Sequence, residues 1–389
     1  MKRYGELLRI PGLVAVVLSQ LIARFPGGML SLGILIHLQR QTGNFTVPGL
    51  TLAAMSIGQA IASPLTSRLM SQFGIRRVIG TVLTACTVAI AVIALVPLDH
   101  VTAIVMGLVI GLTLAPIQPA VRAVYPALVA RNQLQSLQSL DASIQELIWI
   151  GGPVIVVSLA TQVSSAAAVL ASALIGLVGG MWFLSRPEVS QAKLEPSTGR
   201  MGAVLKRPPV IIGVITGLLV VGSFGAIEAA TVSAFGSGPD SAAGVVLALW
   251  AGTSLIGGLA MGHTPMGPWS LSRRLGVVAL GTALAMFTLD PVLLTFALLL
   301  SGFGVAPAMT VQFAIATESV DKGDVPESLG WLGTGWVMGG ALASAVAGVA
   351  IDIWGTTGGF AAGTVFAVLA ALVPAIWVKR LPDLRHLAH

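Results

Sequence analysis

Residues 13–38 read LVAVVLSQLIARFPGGMLSLGILIHL. The run is long enough to cross a bilayer, which takes about 20 apolar residues in a helix that rises about 1.5 Å per residue. Arg24 lies near its middle, where an ionised side chain costs at least about 2.5 kcal/mol and normally faces water or an opposite charge. Pro26 removes a backbone donor, and Gly27 and Gly28 loosen the helix beside it. The stretch therefore predicts a membrane helix with a kink and a functional arginine at its centre.

The rest of the chain has the composition of a membrane protein. Of its 389 residues, 55% are hydrophobic and only 9% are charged, with a mean hydropathy of +0.92, whereas soluble domains carry about 25% charged residues. Apolar runs of spanning length recur at residues 13–38, 47–70, 78–97, 102–124, 140–161, 166–183, 209–235, 242–262, 272–289, 292–316, 328–351 and 359–378. We therefore predict an all-α polytopic protein with twelve transmembrane helices. Its predicted parts are an N-terminal six-helix half (1–184), a cytoplasmic linker (185–208) and a C-terminal six-helix half (209–389).

The basic residues predict the orientation of these spans. The net charge of +6 and the pI of about 10.1 would suggest nucleic acid as a partner of a soluble protein. Of the 21 Lys and Arg residues, however, Arg24 lies inside a span, Arg40 lies in an outer connection, and the other 19 fall in cytoplasmic segments when the N-terminus is cytoplasmic. Cationic connections resist translocation. The charge is thus explained by topology, with both termini cytoplasmic and no nucleic-acid partner.

Matching segments at nearly constant offsets indicate an internal duplication. Arg76-Arg77 recurs as Arg273-Arg274, and the segment 111–116 (GLTLAP) recurs as 302–307 (GFGVAP). Two parallel six-span repeats imply a pseudo-two-fold axis along the membrane normal, with a substrate site at the repeat interface near the midplane. We expect the first span of each half to lie near that axis.

With this layout, the connection between spans two and three resembles a signature of the major facilitator superfamily, G-x-x-x-D-R-x-G-R-R. Residues 67–77 read SRLMSQFGIRR, so Gly74, Arg76 and Arg77 match, while Ser71 replaces the aspartate. The resemblance covers essentially the whole chain and implies a transporter fold with a cytoplasmic gate, or charge relay, at this loop. Residues 149–153 (WIGGP) are similar to the Gly-Pro core of a motif of efflux members, which implies export.

Ionisable residues inside the spans are the candidates for the transport site. Arg24, Glu146 and Glu228 are predicted to bind substrate or protons, because lone charges in a membrane are costly and usually functional. Glu228 lies about 7 Å further outward than Arg24 in the matching helix, so the two could pair across the halves. The alternatives are independent, hydrated charges and, for Glu146, a protonated and packed carboxyl. Arg122 and Asp141, at cytoplasmic helix ends, are assigned to the gate as a clamp.

Small, kinking and polar residues complete the predicted site. Kinks or hinges are expected at Pro26, Gly27, Gly28, Gly151, Gly152 and Pro153, although close helix packing explains the same residues. Weaker candidates for cavity lining are Gln59, Gln118, Gln145, Gln312, Trp331 and Trp336, for each of which packing is the alternative.

These features favour a secondary active transporter that works by alternating access. Proton-coupled efflux (antiport) of a small amphipathic or drug-like compound is the main hypothesis; proton-coupled uptake of a small organic anion or sugar is the first alternative. A membrane sensor or scaffold without transport activity is the second. The sequence has no H-E-x-x-H, G-x-S-x-G or phosphate-binding loop, so we expect neither an enzyme, nor ATP coupling, nor a metal or cofactor. The expected setting is a bacterial cytoplasmic membrane, where the protein contacts lipid and works as a monomer.

Overall fold

The computed structural model describes residues 7, 9–43, 46–190, 192, 200–235, 242–262 and 264–385. Within these ranges all regular structure is helical, which confirms the predicted all-α class. The α-helices are α1 Leu13–Arg24, α2 Pro26–Thr42, α3 Thr46–Phe73, α4 Ile75–Leu95, α5 His100–Thr113, α6 Ile117–Leu128, α7 Arg131–Ile144, α8 Glu146–Gln162, α9 Ser165–Ser185, α10 Pro187–Ser190, α11 Pro208–Phe235, α12 Ala243–Met261, α13 Ser270–Met286, α14 Pro291–Glu318 and α15 Val325–Ile376. Parts of the predicted linker (191 and 193–199) and of the predicted cytoplasmic termini (1–6 and 386–389) lie outside the described residues.

The helices bear out a polytopic membrane protein. In the described part of the chain, nine helical stretches are long and apolar enough to cross a membrane. Two predicted spans correspond to α3, with 28 residues, and to α13, with 17 residues. The last two correspond to α15, whose 52 residues are interrupted at Gly355, where φ is 66° and ψ is −159°. The exact number of twelve spans stays a prediction.

Side-chain caps fix where several of these helices begin. Asp99 accepts the Thr102 N–H at 2.7 Å before α5, and Ser164 accepts the Ala167 N–H at 3.0 Å before α9. Asp290 does the same before α14, where Pro291 occupies the first helical position. These contacts satisfy N–H groups that have no partner within the helix. The bond from Thr102 also lowers the pKa of the exposed Asp99 carboxyl.

Arg40, the arginine that the topology prediction places outside, has a structural role. Its Nη1 atom donates to the carbonyl oxygen of Ala160 at 2.8 Å. Ala160 lies in the last turn of α8, where backbone carbonyls lack helical partners and a positive charge is favourable. Capping of α8 thus accounts for the single basic residue predicted on that side.

The chain forms two compact units, and neither is one continuous stretch of sequence. Residues 131–146 of the N-terminal part belong to the second unit, and residues 321–334 of the C-terminal part belong to the first. The first contains residues 1–130, 147–202 and 321–334, and the second contains residues 131–146, 203–320 and 335–389. Within the second unit, α7 packs against α12 and α14. Within the first, α1 and α2 pack against α9. The two parts of the predicted fifth span, α7 and α8, thus belong to different units.

In the first unit, glycines allow α2 to lie directly against α8. A Cβ atom on Gly28 would overlap the backbone oxygen of Ile148, and one on Gly152 would come within 2.6 Å of the oxygen of Gly28. Gly151 and Pro26 extend this contact, because Gly151 faces the Phe25 ring and Pro26 faces Gly176 of α9. Such close approach is typical of membrane helices that meet through small residues. Close packing therefore accounts for most of the predicted hinge residues, and a hinge function for them stays a prediction.

Replacing Gly28 with alanine is expected to destabilise the protein by about 1–3 kcal/mol, because the new methyl group meets backbone that cannot rotate away. Gly27 is the matched control, since a Cβ atom there has no neighbour within 4 Å. Gly27→Ala is expected to be neutral or to stabilise by up to about 1 kcal/mol through helix propensity. Thermal unfolding of both variants in detergent micelles measures the difference. Equal stabilities would contradict the packing assignment.

Candidate functional site

The first membrane helix is divided at its arginine. α1 ends at Arg24, Phe25 forms a turn, and α2 begins at Pro26. Because Pro26 has no N–H, the carbonyl oxygen of Ile22 is bonded instead by the N–H of Phe25, at 3.2 Å. Arg24 Nη1 donates to Gln20 Oε1 at 2.9 Å, where Gln20 is fully buried and Arg24 is half-buried. The guanidinium is therefore braced one turn below the break and keeps part of its surface accessible.

Glu228 is a carboxylate in an apolar helix. It is exposed, although it belongs to the 28 mostly apolar residues of α11. Seven residues separate it from Phe235 at the helix end, which corresponds to about 10 Å. A carboxylate at this depth is stable next to water or an opposite charge and costly in lipid. Arg24 belongs to the first compact unit and Glu228 to the second, so their pairing stays a prediction.

Glu146 is a buried acid with a hydroxyl partner. It is the first residue of α8, follows the turn at Gln145, and is only 6% exposed. Its Oε1 atom accepts a hydrogen bond from Ser254 Oγ of α12 at 2.9 Å. Ser254 Oγ in turn accepts from the backbone N–H of Ala306, in α14, at 3.1 Å. No sequence pattern indicated Ser254 as a site residue, because its partner is 108 positions away.

The predicted clamp residues are both fully buried. Arg122 lies in α6 and Asp141 in α7, each with no exposed surface. Buried charges of this kind need counter-charges or hydrogen bonds, because removing them from water costs several kcal/mol per ion. The two residues fall in different compact units, so a clamp between them stays a prediction.

Polar side chains hold α7 to α12 within the second unit. Ser139 Oγ donates to the carbonyl oxygen of Gly258 at 2.6 Å, and Gln135 Nε2 donates to the carbonyl oxygen of Thr264. A Cβ atom on Gly258 would overlap the hydroxyl of Ser143. The Ser139 hydroxyl and the Gln135 amide nitrogen are stable here because each donates to a carbonyl oxygen. They explain why a segment as polar as α7 is buried between helices.

The loop that carries the superfamily signature turns at a glycine. Gly74 has a φ of 86°, a conformation that residues with a Cβ atom rarely adopt, and it precedes the first residue of α4. Arg76 and Arg77 follow it, and both are exposed. Their role in a gate or charge relay stays a prediction.

An acid absent from the sequence-based site lies near this loop. Glu327, in the first turn of α15, is 1% exposed, and its Oε2 atom is 3.3 Å from Arg68 Nη1. Its Oε1 atom accepts from the Gly202 N–H at 2.6 Å and from Trp331 Nε1 at 3.4 Å. A helix N-terminus also favours negative charge. Glu327 could not be identified from sequence, because it lies one residue before the predicted eleventh span and its hydrogen-bond donor Gly202 is distant in the chain.

The predicted cavity-lining residues divide into two groups. Gln59, Gln118 and Gln145 are half-buried. Gln312 is 1% exposed; its amide donates to the carbonyl oxygen of Gly213 at 3.0 Å and accepts from Trp336 Nε1 at 3.2 Å. Gln312 and Trp336 therefore connect helices of the second unit, and Trp331 contacts Glu327 as described above. Cavity lining by any of these residues stays a prediction.

Comparisons with known proteins assign the fold and a family. A model of the Major Facilitator Superfamily matches residues 16–292 and 265–388. Among curated proteins, human synaptic vesicle glycoprotein 2B is 33% identical over 152 residues, which make up 36% of this chain and 21% of that protein. The rat protein of the same name is 32% identical over the same share. The chain thus matches about a fifth of the length of these relatives.

Solved structures of transporters share the fold over nearly the whole chain. A bacterial homologue of the iron transporter ferroportin, in an outward-facing state, has a TM-score of 0.76 at 16% identity and covers 94% of this chain and 99% of its own. The human organic anion transporter MFSD10 (TETRAN) has a TM-score of 0.72 at 17% identity, covering 93% and 98%. The transporter FucP, in the outward conformation, has a TM-score of 0.71 at 15% identity, covering 95% and 98%. At these identities the likeness concerns the fold.

Proposed function

The chain belongs to the Major Facilitator Superfamily, and on that premise we propose that it is a secondary active transporter of a small molecule, working by alternating access. The observation that carries this proposal is the presence of charged side chains within apolar helices. Glu228 is exposed in α11, and Arg24 is half-buried at the break between α1 and α2. Charges at such depth mark a substrate or ion path in membrane proteins.

Proton coupling is the proposed source of energy. Glu146 is a buried carboxyl whose hydrogen-bond partner is a neutral hydroxyl. A carboxyl in such a setting is able to take up a proton when the site opens to one side of the membrane and to release it on the other. We therefore assign Glu146 to the proton and Arg24 and Glu228 to the substrate or to a switch between states.

Export of an amphipathic compound is the proposed direction of transport. It is supported by the likeness of residues 149–153 to the efflux motif. The proposed setting is a bacterial cytoplasmic membrane with both termini in the cytoplasm and the chain acting as a monomer in contact with lipid. The family contains transporters, which supports the expectation that the protein is not an enzyme.

Reconstitution into liposomes with an internal pH indicator tests these assignments. Each member of a panel of amphipathic cations, organic anions and sugars is added under an imposed pH gradient. A coupled substrate is expected to accelerate dissipation of the gradient, and Glu146→Gln is expected to abolish that acceleration while substrate binding persists. Asp352→Asn is the matched control, since Asp352 is an exposed carboxyl near the break at Gly355.

Three outcomes separate the alternatives. Proton movement opposite to substrate movement supports antiport, whereas movement in the same direction replaces it with uptake. Substrate flux without any proton movement contradicts proton coupling but leaves the transport function intact. No flux for the whole panel, with the protein folded and inserted, favours the hypothesis of a sensor or scaffold.

A further inference from the structure

The hydrogen bonds around Glu146 form a short series through three residues of the second unit. Glu146 ends the segment that includes α7, Ser254 lies in the middle of α12, and Ala306 lies just before Pro307 in α14. The Ser254 hydroxyl has one proton, and its oxygen accepts from the Ala306 N–H at 3.1 Å. Because that N–H can only donate, the hydroxyl proton is available for Glu146 Oε1, 2.9 Å away. Both hydrogen bonds therefore donate in the same direction, from Ala306 to Ser254 and from Ser254 to the carboxyl of Glu146.

Few other ionisable side chains lie on the helices packed around this position. Arg274 of α13 is buried and donates to the carbonyl oxygen of Pro307, next to Ala306, at 2.8 Å and to Thr264 Oγ1 at 2.7 Å. Within the described residues, α12 contains none, and α14 contains only Glu318 at its end, 3.4 Å from Arg131 at the start of α7. α8 contains none besides Glu146, and the remaining one in α7 is Asp141, five residues earlier. The turn at Gln145 separates Asp141 from Glu146, so the two acids lie on different helices.

A hydroxyl that donates to a carboxylate distinguishes the two protonation states of that carboxylate. The hydrogen bond is charge-assisted while Glu146 is ionised and about half as strong once the carboxyl is neutral. Its geometry is already determined, because the Ala306 amide orients the serine oxygen. Removing the hydroxyl therefore disfavours the ionised state more than the neutral one.

We propose that Ser254 is a positioning residue that orients the Glu146 carboxylate and sets the pH at which it takes up its proton. The proposal rests on the proton-carrying role given to Glu146 under Proposed function. Binding of the proton to the carboxyl weakens the bond to Ser254, so the attachment of the segment 131–146 to α12 depends on the protonation state. The neighbouring bond from Ser139 to Gly258 joins the same segment, residues 131–146, to α12 without contacting an acid.

Infrared titration of the purified protein in lipid nanodiscs tests this without a known substrate. The carbonyl stretch of a protonated carboxyl is followed against pH, and the band that disappears in Glu146→Gln is assigned to Glu146. Ser254→Ala is expected to raise the midpoint of that band by about one pH unit, a tenfold change in proton affinity. Ser254→Thr keeps the hydroxyl and is expected to restore the midpoint. Ser139→Ala removes a structural hydroxyl that joins the same segment, residues 131–146, to α12, and it is expected to leave the midpoint unchanged.

Each outcome decides a different part of the proposal. A Glu146 band whose midpoint is the same in wild type and Ser254→Ala overturns the role of Ser254 and leaves the proton role of Glu146 intact. Equal shifts in Ser254→Ala and Ser139→Ala also overturn it, because the effect then follows from looser packing. The absence of any titrating band that depends on Glu146 removes both the proton role and the positioning role.

Discussion

Replacing Arg24 with alanine is expected to lower the rate of transport about a hundredfold. The guanidinium lies at the break between α1 and α2, held by Gln20 at 2.9 Å, and Arg24 is the only Lys or Arg inside the predicted first span. A charged hydrogen bond is worth about 1.5–3 kcal/mol, which corresponds to a factor of about ten to more than a hundred in rate. Glu228→Gln is expected to have an effect of similar size. Transport by reconstituted protein, with the substrate found in the panel, measures both.

Controls and a charge exchange separate a functional role from general damage. Arg273→Ala, which removes an exposed arginine at the start of α13, is expected to transport normally. If Arg24 and Glu228 pair during the cycle, exchanging them in Arg24→Glu/Glu228→Arg should recover part of the activity that each single exchange removes. Independent, hydrated charges predict no recovery. Normal transport and pH dependence in Arg24→Ala, Glu146→Gln and Glu228→Gln together would show that the proposed site is wrong even though the fold is right.

Replacing Glu327 with alanine is expected to destabilise the protein by about 3–5 kcal/mol. The carboxylate is 1% exposed and binds Arg68 Nη1 at 3.3 Å and the Gly202 N–H at 2.6 Å. Removing one member of a buried ion pair leaves the other charge in a poor environment. Glu327→Gln keeps an oxygen that is able to accept from Gly202, so its cost should be smaller. Denaturant or thermal unfolding in detergent micelles measures the free energy of unfolding.

An exposed ion pair of the same protein provides the comparison. Asp383 and Arg385 are 3.5 Å apart, with side chains that are 52% and 64% exposed. Asp383→Ala is expected to change stability by less than about 1 kcal/mol, because such pairs are screened by water. A double-mutant cycle between Glu327→Ala and Arg68→Ala should show coupling. Additive effects of these two variants would contradict the ion pair as the source of the loss.

The ion pair between Arg68 and Glu327, next to the signature loop, could not be predicted from the sequence of that loop. Ser71 replaces the acid of the signature, so the sequence analysis placed the gate at Gly74, Arg76 and Arg77. Arg76 and Arg77 are exposed, whereas the ion pair next to this loop joins Arg68 to Glu327. The two residues are far apart in sequence, and no local pattern relates them.

The sequence by itself determined the class of protein and the residues that are unusual for it. A run such as residues 13–38 must be helical in lipid, because only a helix satisfies every backbone group within one segment. Its arginine is conspicuous because an ionised side chain near the middle of a membrane span is costly. Glu228 is conspicuous for the same reason. The resemblance at residues 67–77 indicated the family, which the match to residues 16–292 and 265–388 shows.

The tertiary structure alone decided which polar groups meet. Ser254 and Glu146, or Glu327 and Gly202, are joined by bonds of about 3 Å or less between residues more than a hundred positions apart. Hydrogen bonds depend steeply on distance and angle, while hydropathy depends only on composition along one helix. The stretch at residues 13–38 therefore predicted a spanning helix and a kink, whereas the contact of Gly28 with Ile148 and the brace from Gln20 to Arg24 required the packed helices.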